Sequence, residues 1–277
     1  MANNRRLVYK KIDGKLDPIS PNLLQEDWGG KNKSTITPEN LDMSPLYRKG
    51  EGEFSYSLLC VISGGTKRER DFLKELIKGN KLSSLRVIFV SKEGQGLHPY
   101  QMQECWNKIQ DGGTLAIDGR PFKLDSFDKV FLLSDVDEFY EQLVKIKKEK
   151  SAVDMGEWII SNPCFEIWLY YCYKNNPEID LASLKDSPIH CRSQKLKNSC
   201  HSLFSGGLNP ILAFEHMTEG VRNSKSHFSI DCNGIPKLYS TQMHIMAEYM
   251  MDILNKNTNE YNVFVSARQG FRNKMKK

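Results

Sequence analysis

The chain has 277 residues, of which 39% are hydrophobic and 26% are charged, and its formal net charge is +5. This composition is typical of a folded globular protein and excludes a wholly disordered chain. The mild positive charge permits binding to a polyanion without requiring it, because 34 acidic residues nearly balance 39 basic ones. No apolar run approaches the roughly 20 residues of a transmembrane helix, so we expect no membrane association.

The N-terminus and the cysteines both indicate a cytoplasmic protein. The first residues, MANNRRLVYKK, carry positive charge with no apolar segment behind them, so we expect no secretory signal peptide. The 7 cysteines are odd in number and show no framework spacing. This pattern predicts free thiols in a reducing compartment.

The hydrophobic pattern divides the chain into three parts. Residues 1–55 are polar and lack a sustained period, which predicts an N-terminal arm that wraps around the domain or stays partly mobile. Residues 56–175 are the predicted α/β domain. Residues 176–277 are a predicted helical extension on the same core, because no linker or internal repeat separates them from the domain.

Four short apolar runs alternate with helical segments in the α/β domain. The predicted strands are residues 56–62, 85–90, 129–134 and 157–161, and helices are predicted after each of them. Near-continuously apolar strands that alternate with helices are typical of a parallel sheet covered on both faces. We therefore predict an α/β fold with a mainly parallel four-stranded sheet.

Acidic residues follow the third strand, at the sheet edge where open α/β folds bind their ligands. Asp135 and Asp137 stand two positions apart, and in an extended chain both side chains would point to one side. Two such carboxylates suit Mg²⁺. The alternative is a surface turn in which acidic residues stabilise a helix start, and the spacing alone slightly favours it.

A glycine-rich turn with basic residues follows the first strand. Its residues are Ser63, Gly64, Gly65 and Thr66, and the basic residues after it are Lys67, Arg68 and Arg70. Backbone N–H groups of such a turn can bind phosphate, and the cations suit a nucleic-acid backbone. The turn lacks the full pattern of a nucleotide-binding P-loop, and a solvated helix face would carry the same charges.

The fourth strand leads into the segment SNPCFE. Glu166 is predicted in the first turn of the next helix, either as a carboxylate that reaches the acidic strand end or as a residue that stabilises the helix dipole. Asn162 would serve either as a helix cap or as a ligand to phosphate or water.

Other potential ligands give weaker signals. The pairs His190-Cys191 and Cys200-His201 contain zinc-ligand residue types, but their spacing matches no common zinc module. No histidine is paired with a serine or thiol nucleophile, so a Ser-His-Asp mechanism has no support.

Taken together, the glycine turn, the strand end LLSDVDE and the junction ISNPCFEIWL resemble the RloB family. The similar region spans residues 56–173, and residues 234–241 resemble a helix start near that family's C-terminus. The resemblance implies a Toprim-like nuclease that uses Mg²⁺ or Mn²⁺. It also implies a partner AAA-type ATPase in a bacterial anti-phage (abortive-infection) system.

The Toprim pattern also assigns roles to single residues. It places an Asp-x-Asp after the third strand, which Asp135 and Asp137 match, and a glutamate after the first strand. Here Ser63 stands in the place of that glutamate, which is implied to act as general base or metal ligand. Glu69 lies six residues further on and would have to reach back, so we expect Glu166 to be the better replacement.

The resemblance thus implies metal-assisted hydrolysis of a phosphodiester bond. Asp135, Asp137 and Glu166 would hold the ion, Glu166 or Glu69 would orient or deprotonate water, and the basic residues after the glycine turn would offset phosphate charge. Cellular RNA, tRNA included, is the first expected substrate and DNA the second. The nucleic acid, the ATPase and further copies of the chain are the expected partners.

Two other functions fit the same residues. One is an assembly or sensor subunit of the ATPase complex that kept the fold and lost catalysis together with the glutamate. The other is a nucleotide-handling phosphotransferase that uses the same carboxylates.

Overall fold

The computed structural model describes residues 8–12, 15–19, 57–78, 82–92, 96–112, 114–117, 120–123, 128–149, 156–205, 207–256 and 259–275. The strands are β1 (Val8–Ile12), β2 (Lys15–Ile19), β3 (Ser57–Ser63), β4 (Leu85–Val90), β5 (Thr114–Ile117), β6 (Arg120–Lys123), β7 (Lys129–Asp135) and β8 (Gly156–Ser161). The α-helices are α1 (Arg68–Phe72), α2 (Lys74–Lys78), α3 (Pro99–Gly112), α4 (Tyr140–Glu149), α5 (Glu166–Tyr171), α6 (Pro177–Asp180), α7 (Ile189–Leu203), α8 (Pro210–Ala213), α9 (Met217–Ser226), α10 (Met243–Lys256) and α11 (Glu260–Met275). Short 3-10 turns cover Asp137–Phe139, Ala182–Leu184 and Phe214–His216.

The main sheet has four parallel strands in the order β4-β3-β7-β8, which confirms the predicted α/β fold. From β3 the chain passes through α1 and α2 to β4 on one side, and it then crosses to β7 on the other side of β3. The direction of the connections therefore reverses between β3 and β7. Open α/β sheets bind ligands beyond the carboxyl ends of the strands at such a switch point.

Helices cover both faces of this sheet because its strands are apolar on both sides. On one face, residues such as Cys60 and Ile62 pack with Trp106 of α3 and Leu143 of α4. On the other face, odd-numbered residues such as Val61 pack against helices from the second half of the chain. Buried apolar strands of this kind belong in the interior of a parallel sheet.

The predicted C-terminal helices are also confirmed. Trp168 of α5, Met217 of α9, Met250 of α10 and Phe264 of α11 belong to the same buried cluster as the sheet residue Val61. None of the described helices is both long and apolar enough to cross a bilayer. All seven cysteines are free, as expected, and five of them are buried.

The segment before α10 extends the sheet edge beside β8. Ser161 forms an isolated bridge with Thr241, and their hydroxyls lie 2.8 Å apart. The side-chain oxygen of Gln242 accepts a hydrogen bond from the backbone N–H of Ile160 at 3.0 Å. Thr241 Oγ1 accepts one from the N–H of Met243 at 3.1 Å, so the residues that resemble a family helix start do precede a helix.

Three local features differ from the sequence expectations. The hairpins β1-β2 and β5-β6 were not predicted, and most of the predicted N-terminal arm lies outside the described residues. The single helix expected after β3 is divided at Leu73 into α1 and α2. The strands otherwise begin and end within one residue of their predicted limits.

The contact of α9 with α5 predicts opposite effects for one substitution at two helix positions. A Cβ at Gly220 would lie 2.8 Å from the indole of Trp168 and 3.0 Å from Cys172 Sγ, whereas a Cβ at Gly270 would meet nothing within 4 Å. Gly220→Ala should lower the free energy of unfolding by about 1–3 kcal/mol through overpacking. Gly270→Ala should raise it by about 0.5–1 kcal/mol through helix propensity. Urea unfolding measures both, and equal effects would contradict this packing.

Candidate functional site

The turn after β3 and the end of β7 lie side by side at the switch point of the sheet. The N–H of Gly64 donates to the carbonyl of Leu133 at 2.9 Å, which continues the β3-β7 pairing beyond Ser63. A Cβ at Gly64 would lie 3.0 Å from the carbonyl oxygen of Leu97, so the turn is packed closely on its other side. The glycine turn is thereby fixed two residues from Asp135.

The side chain of Glu69 folds back from α1 onto this turn. A Cβ at Gly65 would lie 2.1 Å from Glu69 Oε1 and 2.2 Å from Oε2, so the carboxylate occupies space that only glycine leaves free. Glu69 is buried, and Ser63, at the end of β3, has a buried hydroxyl without a hydrogen-bond partner. A carboxylate thus lies beside the strand-one turn although Ser63 itself supplies none.

Asp135 and Glu69 line one pocket. Its volume is about 180 Å³, including space open to solvent. The residues that line it are Glu69, Leu133, Ser134, Asp135, Ile159, Ser161, Phe165 and Met243. Asp135 Oδ1 accepts a hydrogen bond from the N–H of Phe165 at 2.8 Å, which fixes the carboxyl group at the end of β7.

Burial and neighbouring carboxylates raise the pKa of both pocket carboxyl groups. Burial is the main cause of the raised pKa of Asp135, and the carboxylates of Glu69 and Glu166 add to it. Burial also raises the pKa of Glu69 to about 7, and Glu166 adds to that shift. Buried like charges produce such shifts where chemistry needs a proton acceptor, and also where a cation is held.

Two basic side chains hold Glu166, the first residue of α5. Arg68 Nε lies 3.2 Å and Lys197 Nζ 3.6 Å from the same oxygen, Oε1. Arg68 also donates from Nη1 to the carbonyl of Leu208 at 3.0 Å. Burial lowers the pKa of Lys197, but Glu166 and other nearby groups outweigh burial and raise it. The structure therefore gives Glu166 cationic partners, and Lys197 is a site residue that sequence reasoning missed.

Asp137 does not share the strand geometry that the sequence suggested. β7 ends at Asp135, and Val136 has helical backbone angles, with φ −71° and ψ −55°. Asp137 follows with φ +25° and begins a 3-10 turn. The assumption that both aspartates point from one extended strand is therefore wrong. Asp137 is still close enough to contribute to the raised pKa of Asp135, and its Oδ1 is buried without a hydrogen-bond partner.

The other predicted phosphate ligands lie around the turn with different surroundings. Thr66 is partly exposed and Lys67 is exposed. The guanidinium of Arg70 lies 5.7 Å from the ring centre of Phe89, on the sheet rather than beside Glu166. The side-chain amide of Asn162 donates to the carbonyl of Pro236 at 2.7 Å, which attaches the segment before α10 to the end of β8.

The zinc-ligand residue types found in the sequence do not form a cluster. His190, Cys191, Cys200 and His201 all lie on α7, and the two pairs are ten residues apart along the helix, which corresponds to roughly 15 Å. Cys200 is buried, whereas the other three are exposed. The arrangement gives no support for a zinc site.

The pocket carboxylates are potential ligands for Mg²⁺ or Mn²⁺. Within the described ranges, no three Asp, Glu, His or Cys side chains are already arranged as a metal-binding group. Mg²⁺, however, commonly uses one or two carboxylates and completes its shell with water and phosphate. Asp135 and Glu69 meet that need, and a cation would offset the burial and the nearby carboxylate charges that raise the pKa of each. The donor set therefore fits the ion.

The pKa of Glu69 predicts how stability depends on pH. Because its folded-state value is about 7 against an ordinary 4.5, the folded protein binds more protons than the unfolded chain between these values. Stability should therefore fall as pH rises through this window, by up to about 3 kcal/mol. Urea unfolding at pH 5 and pH 8 should show that Glu69→Gln removes this part of the fall and that Glu141→Gln, on the exposed face of α4, keeps it. The same pH dependence in both variants would contradict the buried position of Glu69.

Comparisons with known proteins agree with the resemblance found in the sequence. The model of the family described as RloB-like protein matches residues 59–250, which include the sheet, the pocket and α10. The match extends beyond the residues that first suggested it. No curated protein and no solved structure matches the chain. Because the family model covers more than half of the sequence, the chain belongs to the RloB-like protein family.

Proposed function

We propose that this protein is a cytoplasmic, Toprim-like, metal-dependent nuclease effector of a bacterial anti-phage (abortive-infection) system, restrained by a partner AAA-type ATPase. One observation carries the nuclease assignment: the carboxylate of Glu69 lies against Gly65 in the pocket that Asp135 also lines. The role in defence and the ATPase partner rest on the family resemblance. So does the substrate, cellular RNA with tRNA included, ahead of DNA.

The two pocket carboxylates would hold the metal ion in this proposal. Asp135 and Glu69 would hold Mg²⁺ or Mn²⁺, which when bound polarises a phosphate and lowers the pKa of water. Glu69 would also orient the attacking water, because its carboxylate lies in the same pocket as Asp135. Asp135 is held in place by the N–H of Phe165 at 2.8 Å, so its position does not depend on substrate.

Two basic residues would supply positive charge for the phosphate in this proposal. Arg68 and Lys197 lie on the side of Glu166, and 41% and 42% of their side chains are exposed. Both cations are close enough to the pocket to oppose the rise in the pKa of Glu69, and they would offset the negative charge that develops on a cleaved phosphate. The backbone N–H groups of Gly65 and Thr66 are second candidates for phosphate contacts, whereas the N–H of Gly64 already donates to Leu133.

A non-catalytic assembly or sensor subunit is the second candidate function. It is favoured by Ser63, which stands where the Toprim pattern has a glutamate, and by the lack of a ready three-ligand set among the described residues. The two candidates differ in whether the pocket carboxylates are needed for activity.

Substitutions of the pocket carboxylates test the nuclease directly. Asp135→Asn and Glu69→Gln should each lower the rate of RNA cleavage in Mg²⁺ or Mn²⁺ by at least about 100-fold, because each removes a charge from the reacting site. Asp71→Asn, on the same helix as Glu69, is the matched control and should keep the rate. Cleavage of labelled tRNA by purified protein is the measurement, and the anti-phage protection of cells that carry the system is the second readout. Full protection by a folded Asp135→Asn variant would rule out the nuclease and leave the assembly subunit.

Gly65→Ala tests whether Glu69 acts from the position seen in the structure. The added methyl group would take the space of the carboxylate, which lies at the end of a flexible side chain and can move away. Unfolding free energy should therefore change by no more than about 1 kcal/mol. Cleavage should nevertheless fall as far as in Glu69→Gln. A Gly65→Ala variant that retains the wild-type cleavage rate would show that Glu69 does not act beside the turn.

A further inference from the structure

The surroundings of Glu166 differ from those of the two pocket carboxylates. Glu166 is buried, yet it does not line the pocket that Glu69 and Asp135 share. Its Oε1 instead contacts Arg68 Nε and Lys197 Nζ at 3.2 and 3.6 Å. One buried acceptor atom therefore holds two cations that come from distant parts of the chain.

Both cations keep donor capacity that Glu166 does not use. Arg68 uses Nε for Glu166 and Nη1 for the carbonyl of Leu208, and among the described residues nothing is bonded to Nη2. In the same parts of the chain, Lys197 Nζ has Glu166 as its one ion-pair partner. Their side chains are 41% and 42% exposed, so a part of each is open to solvent. A guanidinium edge and an ammonium group together suit a phosphate.

We propose that Glu166 is a positioning residue that holds Arg68 and Lys197 as a pair of phosphate ligands for the nucleic-acid backbone. The inference rests on the proposed function only in taking nucleic acid as the ligand. It assigns Glu166 a role other than that of a metal ligand, and it adds Lys197 to the binding surface. The two acidic residues that line the pocket would repel a polyanion. Arg68 and Lys197 would offset this repulsion and attract the polyanion to the pocket.

A structural ion pair is the competing explanation, because a buried carboxylate needs a partner whether or not a ligand binds. The charge of Glu166 separates the two explanations. If Glu166 only forms a structural ion pair, removing its negative charge beside the binding site should strengthen the binding of a polyanion. If Glu166 orients Arg68 and Lys197 for phosphate, removing its carboxylate should weaken the binding of a polyanion.

The experiment measures binding without metal, so that cleavage plays no part. Affinity of the full chain for a fluorescently labelled single-stranded RNA oligonucleotide is followed by anisotropy in EDTA at several KCl concentrations. Lys197→Gln should weaken binding about 5–10-fold near 0.1 M salt and should reduce the slope of log affinity against log salt by about 0.7. Lys197→Arg should bind within about twofold of the wild type. Lys195→Gln, an exposed position on the same helix, should change neither the affinity nor the slope.

Glu166→Gln decides the positioning role. We expect it to bind the oligonucleotide at least about threefold more weakly than the wild type in EDTA. Unchanged or tighter binding would overturn the proposal, and so would a wild type that does not bind RNA or a Lys197→Gln variant with unchanged affinity and slope. Circular dichroism confirms folding. If Glu166→Gln does not fold, Glu166→Asp takes its place, because it keeps the charge but shortens the side chain that contacts Arg68 and Lys197; it should also bind more weakly, and unchanged binding would overturn the proposal.

The same set of proteins separates this inference from the nuclease proposal. Reduced RNA binding by these variants, together with a wild type that cleaves nothing in Mg²⁺ or Mn²⁺, would support the phosphate-binding pair and contradict the nuclease. Metal-dependent cleavage by the wild type, together with undiminished RNA binding by Glu166→Gln, would support the nuclease and contradict the positioning role of Glu166.

Discussion

The approach of the Glu69 carboxylate to the backbone of Gly65 is the contact on which the site depends. It requires a residue without Cβ at position 65, because any side chain there would overlap the carboxylate. It also requires the turn to be fixed, which the hydrogen bond from Gly64 to Leu133 and the close contact with Leu97 achieve. A helical residue can then place its carboxylate where a strand residue would otherwise supply one.

Parallel pairing of β3 with β7 brings that carboxylate to Asp135, since the carboxyl ends of both strands meet at the switch point of the sheet. Both residues have a raised pKa in this arrangement, because both are buried and both lie near other carboxylates, Glu166 among them. Arg68 and Lys197 compensate only Glu166 by direct contact. The charge of Asp135 and Glu69 has no such contact, and a divalent ion held by these two residues, or a proton on Glu69, would neutralise it.

The sheet could be predicted from the sequence because buried parallel strands are short apolar runs with clear ends, as residues 85–90 show. The hairpins were missed although Asp-Gly follows both Ile12 and Ile117 in the sequence, a frequent signal for a two-residue hairpin turn. The geometry of Asp137 was misjudged because extended backbone was assumed up to Asp137, two residues beyond the end of β7.

The site was less predictable because it depends on contacts between distant segments. The sequence put Asp135, Glu166 and Glu69 among the candidates but favoured Glu166 as the replacement for the strand-one glutamate, since local spacing does not show that Glu69 folds back. Lys197 gave no signal, because its relevance arises only when α7 packs beside α5. The fit of the carboxylates to a metal ion is the central claim, and anomalous diffraction from crystals soaked in Mn²⁺ tests it most directly. We predict an anomalous peak within ligand distance of both Asp135 and Glu69; a peak bound elsewhere, or none at saturating Mn²⁺, would contradict the account.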